Sequence, residues 1–150
     1  MYIKIFTSLI LSLTMTLSCA SSNEKTPIPN AALENNVWVL KSLNDKKIFI
    51  PETGKEIFIT FKSQGKQANG NAGCNTFYTS YTVVGNQLQF GPVARTEIFC
   101  KQQMDTENNF KKALEAAERF KIKGYKLYFY DATKIIASFE ASYNEINKVK

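Results

Sequence analysis

Histidine is absent from all 150 residues. That excludes Ser-His-Asp and Cys-His nucleophilic sites, histidine-ligated metals and a histidine pH switch. Cysteine is scarce. Three residues cannot build a four-thiolate zinc site. The longest apolar run, Ile5 to Leu17, has thirteen residues and would be about 20 Å long as a helix. A hydrocarbon core of ~30 Å asks for more. These absences tilt the chain away from catalysis. No catalytic residue, metal site or cofactor is expected.

What is present suits one folded domain. The chain is 44% hydrophobic and 21% charged, with eleven Phe and seven Tyr, enough for a core and too many for a disordered chain. Nineteen basic residues against thirteen acids give a net charge of +6. Such an excess suits nucleic acid, anionic lipid or an acidic polymer. The lysines are spread along the chain, including Lys41, Lys62, Lys101, Lys123 and Lys150, with no dedicated arm. A mildly basic surface is the expectation, and nucleic acid is not.

Residues 1–18 read as a signal peptide. Lys4 precedes the apolar run, and Ser18, Cys19 and Ala20 are all small. Two processing routes fit. Thr16-Leu17-Ser18-Cys19 resembles a bacterial lipobox, which would place lipid on Cys19. Ser18-x-Ala20 alternatively suits ordinary cleavage after Ala20. A retained membrane span is a third reading. Residues 19–36, with Pro27, Pro29 and Ser, Asn and Lys between, read as a flexible tether. The expected location is the cell envelope, at the outer membrane of a diderm since Ala20 and not Asp follows the cysteine. Release to the periplasm or medium is the alternative. Cys74 and Cys100 remain, and an oxidising compartment favours pairing them. Two free buried thiols are the alternative, since spacing does not fix distance in space.

The rest reads as strands, one helix, then strands. Val37–Leu40, Lys46–Ile50, Ile57–Phe61, Phe77–Val84, Leu88–Phe90, Phe120–Lys123, Lys126–Tyr130 and Ile135–Ala141 have strand character. Gly85-Asn86 is a hairpin signal. Between Gln102 and Phe120, Phe110, Ala113, Leu114 and Ala117 share a helical stripe. The opposite side carries Glu107, Lys111, Glu115 and Glu118, with Glu107 and Lys111 as an i,i+4 pair. The expected fold is a single α+β domain, 37–143. It is a bent antiparallel sheet or partly open β-barrel of about seven or eight strands packed with one helix. Residues 144–150 form a polar tail.

Three constellations bear on chemistry. The glycine-rich segment from Gly65 to Asn75 lacks the Gly-Lys-Ser/Thr ending and following helix of a phosphate loop. A bulge or tight corner explains it better, its Asn side chains tying down backbone groups. Carboxylate pairs Asp105/Glu107 and Glu115/Glu118 could serve a glycosidase, but a solvated helix face accounts for them. Alternation places Leu127 and Phe129 on one face of a strand and Tyr128 and Tyr130 on the other, as candidate groove-lining residues.

Gly70-Asn71-Ala72-Gly73-Cys74-Asn75, then Phe77 and Ser80-Tyr81, resembles the signature of the META domain, the HslJ-like group of small bacterial proteins. Trp38-Val39-Leu40 resembles its opening strand. Phe90-Gly91-Pro92, Ala94, Thr96 and Cys100 resemble its second block. Met104, Glu107, Phe110 and Leu114 resemble its helix, and Gly124 and Leu127 its final hairpin. Ile98 and Glu97 depart from the family, which often has Met and a basic residue there. The resemblance covers about residues 37–141. It implies a compact α+β domain with a partly open antiparallel barrel, common on secreted proteins and lipoproteins, and no accepted enzymatic activity. Gly70, Asn71, Gly73, Asn75, Tyr81 and Thr96 are then structural motif residues. The expected protein is a monomeric, non-enzymatic envelope lipoprotein held by lipid on Cys19, with a binding or stress-support role and an envelope protein as partner. A secreted inhibitor or ligand-binding module is the alternative. A basic charge argues against a basic lysozyme as its target.

Overall fold

Strands form where β-branched and aromatic residues alternate with polar ones, and the chain arranges them in one antiparallel sheet. The computed structural model describes residues 29–50 and 54–142. Cys19, the cleavage positions beside it and the tail 144–150 lie outside the described residues. In chain order come β1 (Val37–Leu43), β2 (Lys46–Lys47), β3 (Phe58–Lys62), β4 (Gln67–Asn71), β5 (Thr76–Val84), β6 (Gln87–Phe90) and β7 (Ala94–Arg95). The helix α1 (Met104–Glu115), β8 (Arg119–Lys123), β9 (Lys126–Tyr130) and β10 (Ile135–Ala141) complete the order.

The sheet runs β1-β3-β4-β5-β6-β8-β9-β10, and β10 pairs back onto β1. Eight strands therefore close into a barrel, beyond the partly open form the sequence suggests. Closure removes the free edges that a bent sheet would expose. The thinnest seam is β6 to β8, which meet in register at Gln87 and Arg119. Short β2 and β7 hang outside the ring on β1 and β5. Among the described residues no helix is long and apolar enough to cross a membrane.

Alternation fills the interior. Ile59 and Phe61 of β3 point inward, with Ile57 just before the strand, as their spacing predicts. Leu127 and Phe129 do the same on β9. Phe61 meets Tyr81 edge-on at 5.1 Å, and Phe129 lies 4.8 Å from Phe139. Contacts of this kind add about 0.5–1.5 kcal/mol each beyond area burial. The helix contributes its predicted stripe. Phe110, Ala113 and Leu114, with Ala117 just after, are buried against the barrel, and Phe110 reaches Phe77 and Phe139.

One strand has no signature in the sequence. Gln-Ala-Asn-Gly-Asn, β4, contains no β-branched or aromatic residue, and its composition reads as a loop. It is a strand because β3 and β5 pair with it on both sides, from Phe58↔Asn71 and Gln67↔Ser80 onward. Its small residues are required there. A Cβ on Gly70 would lie 1.9 Å from the Phe58 carbonyl oxygen, an impossible approach. Two other boundaries also differ. The second strand covers only Lys46–Lys47 of the predicted Lys46–Ile50, and Ala94–Arg95 pairs with β5 without any strand pattern of its own.

The chain entering β1 is also part of the fold, which corrects the end of the predicted tether. Ala31 N–H donates to Gly124 O at 2.9 Å, and Asn35 N–H to Phe61 O at 2.9 Å. The Trp38 indole N–H donates to Leu33 O at 2.8 Å. Residues 30–36 thus lie at the Val37 end of β1. The helix approaches the other end, where Leu43 and Asn44 border the same depression as Thr106 and Asn109.

Candidate functional site

Two of the family-like motif residues, Asn75 and Thr96, meet beside one buried carboxylate. Asn75, 1% exposed, follows the turn after β4. Its backbone N–H donates to Glu107 Oε2 at 2.9 Å and its side-chain Nδ2 to Glu107 Oε1 at 2.8 Å. Nδ2 also donates to Ile98 O at 3.0 Å. Its Oδ1 accepts from Thr96 Oγ1 at 2.7 Å and from the Ile98 N–H at 2.8 Å. The amide thereby uses both donor hydrogens and both lone pairs, which fixes its orientation. Arg95, from β7, donates to Glu107 Oε1 at 2.7 Å and to Asn108 Oδ1 at 3.1 Å.

Glu107 is 0% exposed, and this corrects the reading that placed it on a solvated helix face and paired it with Lys111. Lys111 pairs with Glu115 instead. The physical reason is that one turn of the polar side of α1 faces the Asn75 corner and not water. A buried charge needs a cation and hydrogen-bond donors, and β7 and the corner bring them. Asn71 Oδ1 accepts from the Gly73 N–H at 2.8 Å, as the tight-corner reading anticipates, with Gly73 at φ 120°. Cys74 and Cys100 are joined in a disulfide with Cα atoms 6.0 Å apart. It links the corner to the segment leading into α1. Asn71, Gly73, Asn75 and Thr96 therefore act together as a clamp on the fold, and Gly70 serves separately by letting β4 approach Phe58. Among the described residues, no buried side-chain polar atom lacks a partner, and no three His, Cys, Asp or Glu residues cluster.

Tyr81, the remaining motif residue, lies elsewhere. Its ring is in the barrel, and its hydroxyl donates to Glu34 Oε1 at 2.6 Å, with Lys62 O at 3.1 Å. Lys66 Nζ also donates to Glu34 Oε1, at 2.6 Å. Burial, reinforced by the Glu34 carboxylate, pushes the Tyr81 hydroxyl well above the usual tyrosine value. The hydrogen bond from Lys66, followed by that from Tyr81, holds Glu34 below the usual carboxylate range. Glu34 was invisible as a site residue because its surroundings in the sequence have tether composition.

Tyr128 and Tyr130 do point outward together, but they do not share one groove. Tyr128 lines two adjoining depressions on the barrel wall. One, about 830 Å³, is bordered by Asn30, Lys123, Tyr125, Lys126 and Glu140. The next, about 560 Å³, is bordered by Lys41, Ser42, Lys47, Lys126 and Ser138. Tyr130 lies in a third, about 710 Å³, with Asn30, Arg119 and Lys121. There the Arg119 guanidinium sits 5.3 Å above its ring. Lysines scattered in sequence meet here. Lys41 and Lys126 flank Glu140 at 4.0 and 3.7 Å. The sequence reading missed this clustering because β1 and β9 are neighbours of β10 only in the closed barrel.

Comparison with known proteins agrees with this geometry. The family model for the META domain matches residues 31–143. Its start coincides with the segment that packs on the barrel. A protein from Burkholderia xenovorans solved by NMR is similar in fold, with TM-score 0.61 and 24% identity over 74% of this chain and 84% of that one. A second NMR structure has TM-score 0.57 and 19% identity over 72% of this chain and 90% of that one. No curated protein matches the chain. With the family model matching nearly the whole described domain, the chain belongs to the META domain family.

Proposed function

We propose that this chain is a non-enzymatic envelope lipoprotein whose META domain binds a partner or supports the envelope under stress. The observation that carries the reading is how the motif is spent. The Glu107 carboxylate is turned inward, and the donors around it are Arg95 and Asn75. That arrangement holds three segments together. The lipobox-like Thr16-Leu17-Ser18-Cys19 supplies the anchor, and the short linker after it ends where Asn30 meets the β8–β9 turn. Two acyl chains on one cysteine suffice for stable anchoring.

The test is lipid attachment in the native host. A radiolabelled fatty acid will enter the wild-type protein and not Cys19→Ser, which a salt wash of about 0.5 M will release from the membrane fraction while the wild type stays. Fatty-acid label in Cys19→Ser, or membrane retention of Cys19→Ser after the salt wash, would sink the anchored reading. The secreted ligand-binding reading has its own support in the Tyr128 depression. It predicts a soluble wild-type protein cut after Ala20.

A further inference from the structure

The barrel wall formed by β8, β9, β10 and β1 concentrates the positive charge of the chain. Arg119, Lys121, Lys123, Lys126, Lys41 and Lys47 border its three adjoining depressions, against Asp45 and Glu140. Six basic residues against two acids account for four of the six net charges. Of the other described acids, Glu97, Asp105 and Glu115 are exposed in and around α1 and Glu56 just before β3, while Glu118 and Asp131 stand at the Arg119 edge of the wall. Tyr125 stands 42% exposed at the tip of the β8–β9 hairpin, and Tyr128 lies part-buried beside it.

The position of this wall relative to the chain start matters as much as its charge. Asn30 borders two of the three depressions, and its side chain accepts the Gly124 N–H at 2.7 Å. Eleven residue steps separate Asn30 from Cys19, at most about 40 Å when fully extended. An acylated Cys19 therefore keeps this wall within that distance of the bilayer surface. Lysines near an anionic surface each add attraction, and tyrosines favour the headgroup level.

We propose that this wall, with the β8–β9 hairpin at its edge, docks on anionic phospholipid headgroups of the membrane that carries the lipid anchor. The identity of that surface rests on the anchored reading above. Docking lays the barrel on its side. Lipid and basic face then act as two signals, each of which strengthens the other through effective concentration.

The experiment uses the chain from residue 19 carrying Cys19→Ser, produced without lipid. It is sedimented with vesicles of phosphatidylcholine alone or with about one third phosphatidylglycerol. Binding is expected only to the anionic vesicles, and salt near 0.5 M should abolish it. The triple variant Lys121→Gln, Lys123→Gln, Lys126→Gln should bind roughly 100-fold more weakly, about fivefold per lysine. Its thermal midpoint should match the parent, since all three side chains are exposed. A control variant, Lys55→Gln, Lys101→Gln, Lys112→Gln, removes equal charge elsewhere and should keep most of the binding. Equal loss in both variants would overturn the proposal, because net charge alone would then explain it. So would no binding to anionic vesicles. Retention on heparin without vesicle binding would point to an acidic polysaccharide, and overturn it as well. Because the probe has no lipid, vesicle binding stands or falls independently of acylation. A chain that is never acylated in cells yet binds these vesicles defeats only the anchored reading.

Discussion

The Glu107 corner and the lysine–tyrosine wall use similar side chains for opposite ends. In the corner, Arg95 meets a carboxylate that is 0% exposed, and an asparagine completes the shell with all its hydrogen-bonding groups engaged. On the wall, Lys41 and Lys126 share Glu140, and all three side chains are about half exposed. An ion pair removed from water depends on its partners, and losing one strands the other. A pair in water is worth little and leaves its lysines available. The contrast says where to look for function. Groups that satisfy each other stabilise the domain. Groups left in excess on the surface remain open to something outside it.

The largest effect should come from breaking the buried pair. Arg95→Ala leaves the Glu107 carboxylate buried without its cation and should cost about 3–5 kcal/mol in urea unfolding. The same loss of one charge on the wall, Lys126→Ala, should stay within about 0.5 kcal/mol. Similar values for the two would erase the distinction between the regions. Next comes the disulfide. Its sequence separation of 26 residues gives about 3.5 kcal/mol in the chain-entropy model. Replacing Cys74 and Cys100 together by Ser should lower the unfolding free energy by that much, and reductant should do the same to the wild type.

The third effect follows pH. Glu34 and Asp131 are both held below the usual carboxylate range, Asp131 by the backbone N–H groups of Lys134 and Thr133. A lowered folded value means the stabilisation is present above the ordinary carboxylate range near 4 and lost as pH falls through the folded value. Thermal midpoints measured from pH 7 to pH 3 should therefore fall, and Glu34→Gln should flatten part of that fall. Tyr81 has the opposite sign. Its raised folded value means stability starts to decline once pH passes the ordinary tyrosine value near 10, and Tyr81→Phe should flatten that limb. A small effect also belongs to the wall's aromatic. Tyr128→Ala should change stability by under about 1 kcal/mol, since the side chain is only part-buried, while it reshapes both depressions that the ring borders.

The sequence carried the core well because periodicity is a local property. The α1 stripe, the Ile59/Phe61 alternation and the Gly85-Asn86 hairpin all follow from residues a few positions apart. The sites were harder because their partners are distant. Glu107 has the spacing of a solvated position, and Arg95 on a two-residue strand together with the Asn75 corner makes it a buried one. Strand β4 owes its form to neighbours on both sides and not to its own residues. Tyr128 and Tyr130 share one face, as alternation predicts. Arg119 across the pair β8–β9 then covers Tyr130 and assigns the two rings to different depressions. The wall itself is a product of barrel closure, which pairs β10 with both β1 and β9.

The segment 30–36 also has a mechanical meaning. Any pull on the chain from its N-terminal side reaches the barrel through Asn30 and Ala31 at Gly124, Leu33 at Trp38 and Glu34 at Tyr81. These contacts lie at successive points along one end of the barrel. Tension is therefore shared between the β8–β9 turn, β1 and β5 before it can unravel a strand. Trp38 is the only indole in the chain and is wholly buried. Its fluorescence is thus a built-in strain gauge, shifting to the red when that strap gives way.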